Sequence, residues 1–163
     1  MSAETFTTAM FLISAVIAAG VLINAVFPVI TTMTGTVASS SHQADTRIRT
    51  DLRIINSYAS APDATIWIKN VGSSHIQAAD LNGSDVFIGR DGDFERVTKV
   101  SGTPSSGEWT YTILDDANDV WDPKETMEIS LASTKVPASG EWTYFQIVLP
   151  NGVARSTEFT AGG

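Results

Sequence analysis

Ala9 to Ile30 reads AMFLISAVIAAGVLINAVFPVI, twenty-two residues without an acid or a base. At about 1.5 Å of rise per residue the stretch makes roughly 33 Å of helix. That length crosses the ~30 Å hydrocarbon core of a bilayer, and it equally suits the buried core of a helical filament. Only Ser14, Asn24, Gly20 and Pro28 interrupt its apolarity. Ala15, Ala18, Ala19 and Gly20 are small enough to let a second helix approach closely, although such residues are also common in spans that pack against nothing. Pro28 removes one backbone hydrogen bond, which membrane helices tolerate where neighbours compensate.

Charge divides the chain at the same place. The formal net charge is −8 over 163 residues, yet only Glu4 is charged before Asp45, and all ten Lys and Arg follow it. An acidic remainder with scattered bases is a poor match for nucleic acid and for docking on an anionic bilayer surface. It reads as a solvated domain. There is no cysteine, so disulfides, thiolate metal sites and cysteine nucleophiles are excluded. Met1 to Thr8 lacks the basic region of a secretory signal, and the small-residue triplet Ala59-Ser60-Ala61 lies too far along to be its cleavage site. The expectation is therefore an uncleaved anchor. The nearest bases, Arg47, Arg49 and Arg53, mark its orientation only weakly.

Thr31 to Ser41, TTMTGTVASSS, is small, polar and uncharged, and suits either a flexible stalk or a continued helix. Ala44, Ile48, Leu52 and Ile55 recur at helical spacing, and Asp45 with Arg49 forms a favourable i, i+4 pair. Alternation around Leu52-Arg53-Ile54 permits a strand instead, so the reading is helix to about Thr50 and strand thereafter. The remaining strand candidates are Thr65–Asn70, Val86–Gly89, Arg96–Val100, Glu108–Leu114, Thr126–Leu131, Trp142–Leu149 and Arg155–Thr160, parted by Gly-, Pro-, Asn- and Ser-rich turns. Asn151-Gly152 is the strongest hairpin signal among them. The fold class is α+β: a long N-terminal hydrophobic helix, then an all-β immunoglobulin-like sandwich. Residues 1–45 are expected to form helix and stalk, and residues 46–163 the head.

Ser-Gly-Glu-Trp-Thr-Tyr occurs twice, at Ser106–Tyr111 and at Ser139–Tyr144. The repeat suggests two strands that enter the sheet alike, with Trp109 and Trp142 both in the core. Exposed aromatic pairs forming a sticky patch are the alternative.

Chemistry-bearing clusters are few. Asp115, Asp116, Asp119 and Asp122 fall within one turn, and a hard cation such as calcium takes several carboxylate oxygens. The spacing fits no EF-hand, and aspartate is a turn former in its own right, so the expectation is no metal, with these four as weak candidates. His42 and His75 stand apart in polar surroundings. No nucleophile elbow, P-loop or zinc-helix motif occurs, and neither an enzyme nor a cofactor is expected. Asn82-Gly83-Ser84 is a glycosylation triplet in an expected surface turn, which makes Asn82 a candidate acceptor.

Three short stretches resemble one family. Arg49-Thr50-Asp51-Leu52-Arg53-Ile54-Ile55-Asn56, Ile68-Lys69-Asn70-Val71-Gly72-Ser73 and Val120-Trp121-Asp122-Pro123-Lys124-Glu125, behind an apolar helix, are similar to the accessory proteins of the archaellum, the archaeal swimming filament. The resemblance is to FlaG-like proteins first and FlaF-like proteins next. It implies an anchoring or stator role, with the helix in the cytoplasmic membrane and the sandwich outside it. The partners it implies are copies of the chain through the helix, other archaellum proteins and S-layer protein. Archaellins and pilins carry a basic residue and glycine for prepilin peptidase before the apolar segment, and no such site precedes Ala9. That favours an accessory protein over the competing reading, an archaellin-like or pilin-like filament subunit polymerising through its helix. A sugar-binding or hydrolytic sandwich is a third class, disfavoured by the anchor.

Either structural reading requires the rod to be buried. Val16→Asp or Ile17→Asp places a charge at its centre, at a cost of a few kcal/mol. Fractionation of cells should then find the variant depleted from membranes and assemblies; unchanged fractionation would mean that the rod is solvated.

Overall fold

The computed structural model describes residues 2–115 and 117–162. Two compact units divide the chain, Met1–Ala44 and Asp45–Gly163. The first is helix from Ser2 onward, and this helix, α1 (Ser2–Arg49), continues past Ala44 for its final turn. It continues unbroken past Pro28 and across the Thr/Ser-rich stretch. The hydroxyls explain how a polar segment stays helical. Thr31 and Thr32 donate to the Pro28 carbonyl, Thr34 to Ile30, Thr36 to Thr32 and Ser39 to Gly35. Each side chain is satisfied by its own helix rather than pulling the backbone into a turn.

The second unit is built from β1 (Leu52–Ser60), β2 (Asp63–Asn70), β3 (Ile76–Gln77), the short helix α2 (Ala78–Asn82), β4 (Asp85–Arg90), β5 (Asp93–Lys99), β6 (Glu108–Leu114), β7 (Val120–Trp121), β8 (Thr126–Ala132), β9 (Trp142–Val148) and β10 (Ala154–Thr160). The eight longer strands hydrogen-bond in the order β1-β2-β8-β6-β5-β4-β9-β10. All neighbours are antiparallel except β5 and β6, whose short parallel pairing at Thr98–Glu108 and Lys99–Trp109 joins two four-stranded layers. The free edges β1 and β10 lie side by side, linked by Gly162 N–H to the Ala59 carbonyl. A sheet returning on itself in this way leaves little open edge. All eight strand candidates read from the sequence are present, and the helix gives way to strand within two residues of Thr50. β3, β7 and α2 were not anticipated.

Strict alternation supplies the core. Ala64, Ile66 and Ile68 of β2, Met127, Ile129 and Leu131 of β8, Val86 and Ile88 of β4, and Phe145 and Ile147 of β9 are all buried. The β9–β10 hairpin turns through Pro150-Asn151-Gly152. Gly152 N–H bonds to the Leu149 carbonyl, Gly152 has φ +80°, and the Asn151 side-chain oxygen accepts from Val153 N–H. This is a type I turn closed by a left-handed glycine, a three-residue variant of the expected hairpin.

The repeat behaves otherwise than expected. Trp109 is 1% exposed and Trp142 is 65% exposed. The same six residues enter their strands in opposite phase, because the residues that follow decide which face is inward. In β6, Trp109 is in step with the partly buried Tyr111 and Ile113; in β9, Thr143 is in step with the buried Phe145 and Ile147. A one-residue slip turns every side chain over. The inward Thr143 hydroxyl has no hydrogen-bond partner, a local cost of that phase.

The two tryptophans should therefore separate on truncation. Trp109→Ala should lower stability by about 3–5 kcal/mol and Trp142→Ala by about 0.5 kcal/mol or less. Denaturant unfolding of the full chain in detergent, followed by circular dichroism, reads both. Equal losses would refute the phase assignment.

Candidate interaction surface

The second unit is organised around Asn70, at the end of β2 and fully buried. Its side-chain amide donates to the Ser74 and Trp121 carbonyls, and its side-chain oxygen accepts from Gly72 N–H. Its backbone N–H bonds to the Glu125 carbonyl, and its own carbonyl accepts from Lys124 N–H. The loop after it then caps α1: Ser73 and Ser74 N–H both donate to the Arg49 carbonyl, and Val71 and Gly72 N–H to that of Asp51. Gly72 is required there, since a Cβ would lie 2.3 Å from the Arg49 carbonyl oxygen. Two of the three stretches that carried the family resemblance thus meet at Asn70, and the third is tied to them through the loop that follows it.

From the other layer, the Asn151 amide donates to the Thr50 hydroxyl, which itself donates to the Thr46 carbonyl. The Arg155 guanidinium reaches the Leu52 carbonyl and the Asp51 carboxylate. Sequence reading missed Asn70 and Arg155 as organising residues. The only available signal for Asn70 was a polar residue on the inward phase of a strand.

The aspartate turn is brought to no common centre. Asp116 lies outside the described residues. Asp115 and Asp119 take left-handed backbone, φ +61° and +58°, as turn-forming aspartates do. Asp122 accepts from Asn118 and pairs with His75 Nδ1 at 2.6 Å. The His75 hydrogen bond, with help from Asn118, holds its carboxyl below the usual value. Among the described residues no three acidic or histidine side chains converge as metal ligands do. Asn82 is exposed at the end of α2, and the Ser84 hydroxyl of its triplet bonds to the Asp80 carbonyl. On α1, Ala15, Ala18, Ala19 and Gly20 are exposed, and Gly20 has nothing within 4 Å of where a Cβ would be.

Two exposed features distinguish the outer faces of the sandwich. On the β5-β4-β9 face, Phe94 packs against Tyr144 with the rings tilted by 40° and meets Phe87 edge-on, with ring centres 5.4 and 6.2 Å apart, and Trp142 stands on the same side of β9 as Tyr144. On the β1-β2-β8-β6 face, Ile55, Trp67, Lys69, Leu114 and Lys124 line a groove of about 470 Å³. Trp67 is fixed there by its indole N–H to Glu128. These are surfaces for contact: solvated charges, aromatic rings and a shallow groove, on a domain joined to an apolar helix.

An apolar rod continuous with a β-sandwich head defines the chain as an assembly protein of the archaellin type. The archaeal-type flagellin family model matches residues 6–159, and the chain belongs to that family. It is 28% identical to the archaellum periplasmic stator protein FlaG from Sulfolobus acidocaldarius, over 68% of this chain and 99% of that one, with a TM-score of 0.56. A chain of the FlaF–FlaG periplasmic stator complex from the same organism is 29% identical over 68% of this chain and 89% of its own, with a TM-score of 0.57. The subunit of the archaeal flagellum of Methanospirillum hungatei shares the fold across 96% of this chain and 93% of its own, with a TM-score of 0.70 at 14% identity.

The junction makes its own demand on sequence. Gly72→Ala forces a methyl group onto the Arg49 carbonyl and should cost about 1–3 kcal/mol. Asn70→Ala leaves buried backbone groups unpaired, again at about 1–3 kcal/mol or more. Denaturant unfolding as above measures both; wild-type stability in either variant would show that the junction does not constrain the head.

Proposed function

We propose that this chain is a non-enzymatic structural component of the archaellum of the stator kind, held in the cytoplasmic membrane by its helix with the sandwich head outside. The observation that carries the reading is the 28% identity to the FlaG stator protein over 68% of the chain, with 29% to a chain of the FlaF–FlaG complex. The Asn70 junction supports it, because the stretches that resemble that family build this part of the head. Residues 1–45 then serve as anchor and stalk and residues 46–163 as the head. The small-residue face of Ala15, Ala18, Ala19 and Gly20 packs against sister helices. The head associates with a second archaellum protein, as FlaG does with FlaF in the Sulfolobus complex, and through it or directly with S-layer protein. The exposed Asn82 is the place where a glycan would be attached.

One observation favours the filament-subunit reading as a second choice. From Thr5 to Gln43 the helix has no Asp, Glu, Lys or Arg, roughly 58 Å of charge-free rod against ~30 Å of hydrocarbon.

Sheared surface filaments and washed membranes from cells producing the chain separate the two readings. Mass spectrometry and electron microscopy should find it with an intact N-terminus in membranes, and as a trace at most in filaments. Recovery as the bulk filament protein would replace the stator reading by the filament one.

A further inference from the structure

The phase of β9 leaves the head with two unfavourable features. The Thr143 hydroxyl lies inside without a hydrogen-bond partner, and the Trp142 indole stands outside, 65% exposed. Neither stabilises an isolated domain, and the surroundings of Trp142 give its exposure a use. Strand register fixes those surroundings. On the outer face of β5-β4-β9-β10, one row reads Phe94, Gly89, Tyr144 and Glu158, and the next reads Arg96, Phe87, Gln146 and Ser156. Trp142 pairs with Thr160 beyond the first row. Gly89 permits the arrangement. With no side chain there, Phe94 and Tyr144 meet across β4, and a Cβ would lie 2.5 Å from the Phe94 Cα. Rings packed over a glycine offset its weakness within a strand. Trp142 has no part in that packing, since among the described residues no ring pairs with it.

Charge on this face is matched internally. Arg96 pairs with Asp85, Arg90 with Glu141 and Lys135 with Asp93, which leaves the carboxylates of Asp91 and Glu158 over. Such a surface does not attract phosphate, nucleic acid or anionic lipid. It is no cage for an ammonium group either, because rings 5.4 Å apart and tilted by 40° leave no gap between them. Beside the rings, the side chains of Gln146, Ser156, Glu158 and Thr160 have no hydrogen-bond partner among the described residues, so donors and acceptors stand free along the β10 side. Four strands measure about 14 Å across, and Trp142 to Gln146 about 14 Å along, a footprint of roughly 200 Å². A standard protein interface takes ~800 Å² from each partner. A sugar ring is smaller and has the matching chemistry. One of its faces presents C–H bonds that pack on an aromatic ring, and its edge presents hydroxyls that both donate and accept.

We propose that the outer face of β5-β4-β9-β10 binds neutral carbohydrate, with sugar rings laid on Trp142 and Tyr144 and their hydroxyls held by Gln146, Glu158 and Thr160. The occupant is a glycan displayed in many copies on a surface, not a free sugar. A footprint this small binds weakly, and heads gathered in an assembly gain by engaging several glycans at once. The site goes beyond the anchoring role, and it is the same whether the chain serves as stator or as filament subunit.

Polystyrene beads densely coated with neutral glucan, mannan or galactan test it, with the full chain in a detergent that has no sugar headgroup. At least one of the three should retain the chain, and dextran sulfate, the anionic control, should not. Trp142→Ala and Gln146→Ala should each lower retention on the order of tenfold with an unchanged circular dichroism spectrum. Tyr58→Ala, which removes another exposed ring, on β1, should leave retention as it is. Soluble polymer should compete at far lower concentration than its monosaccharide. Retention by none of the three, retention indifferent to Trp142→Ala, or equal retention on dextran sulfate overturns the proposal. Equal competition by the monosaccharide overturns the displayed glycan as occupant. Pairing of heads in sugar-free solution that Trp142→Ala abolishes would assign the face to a second copy, and also overturns it. None of these results bears on where the chain resides, so the stator reading stands or falls separately.

Discussion

A buried amide has to find partners for every donor and acceptor it carries, and Asn70 finds them in the loop that follows it, at Gly72 and Ser74, and in one distant segment, at Trp121. Leaving such a group unpaired in an apolar interior costs about 1–3 kcal/mol, so the segments that serve it are held to narrow positions. The loop Val71–Ser74 is bent back by the Asn70 side chain, and its amides then meet the last carbonyls of α1. Carbonyls at a helix C-terminus lack intrahelical donors, and here backbone amides rather than water supply them. Trp121 and the turn Asp122–Glu125 close from the opposite side. With Asn151 and Arg155 reaching over from the second layer, residues 49–52 are fixed by both layers at once, and the direction of β1 follows.

What was legible in the sequence was what periodicity encodes. Alternation located all eight long strands. The change to strand at Leu52 was harder, because Ala44, Ile48, Leu52 and Ile55 keep helical spacing across it. Leu52 belongs to the core of the sandwich, Ile48 is exposed on the final helical turn, and Ile55 sits at a bulge where the β1–β2 register shifts. One spacing thus combined three unrelated environments. The repeated Ser-Gly-Glu-Trp-Thr-Tyr misled for the opposite reason: identity over six residues is weaker than the apolar phase of the next four. Phe145 and Ile147 already contained the answer, had the phase been traced forward from them.

Other features were beyond any single-sequence pattern. β3 and β7 are two residues each, too short for periodicity to act. Asn70 looked like a strand end beside a glycine turn, and its role depends on carbonyls some fifty residues away. Arg53 and Lys69 become neighbours only through strand register, so two cations side by side in an acidic protein are invisible to any count of charges. The aspartates of the 115–122 turn were visible, and their abundance has a backbone reason: Asp115 and Asp119 hold left-handed positions that few other non-glycine residues take readily.

The helix poses a different problem, because its first unit buries nothing by itself. Large apolar side chains from Phe6 to Val37 stand exposed, each worth about 1.5–3 kcal/mol on removal from water. The sum reaches tens of kcal/mol, comparable with or larger than the stability of an ordinary domain, and no solvated state of this rod can compete with one in which it is covered. A stretch as apolar as the one ending at Ile30 can be covered by lipid or by other apolar helices alike. Beyond it the side chains are mostly Thr, Ser, Gly and Ala, whose hydroxyls are largely spent on the helix's own carbonyls. Such a surface gains little from lipid tails and offers water no charge, but it is narrow, and narrow helices approach one another closely. Burial of the apolar stretch is therefore decided by energy, whereas what lies against the segment after it is decided by shape, and shape favours another helix.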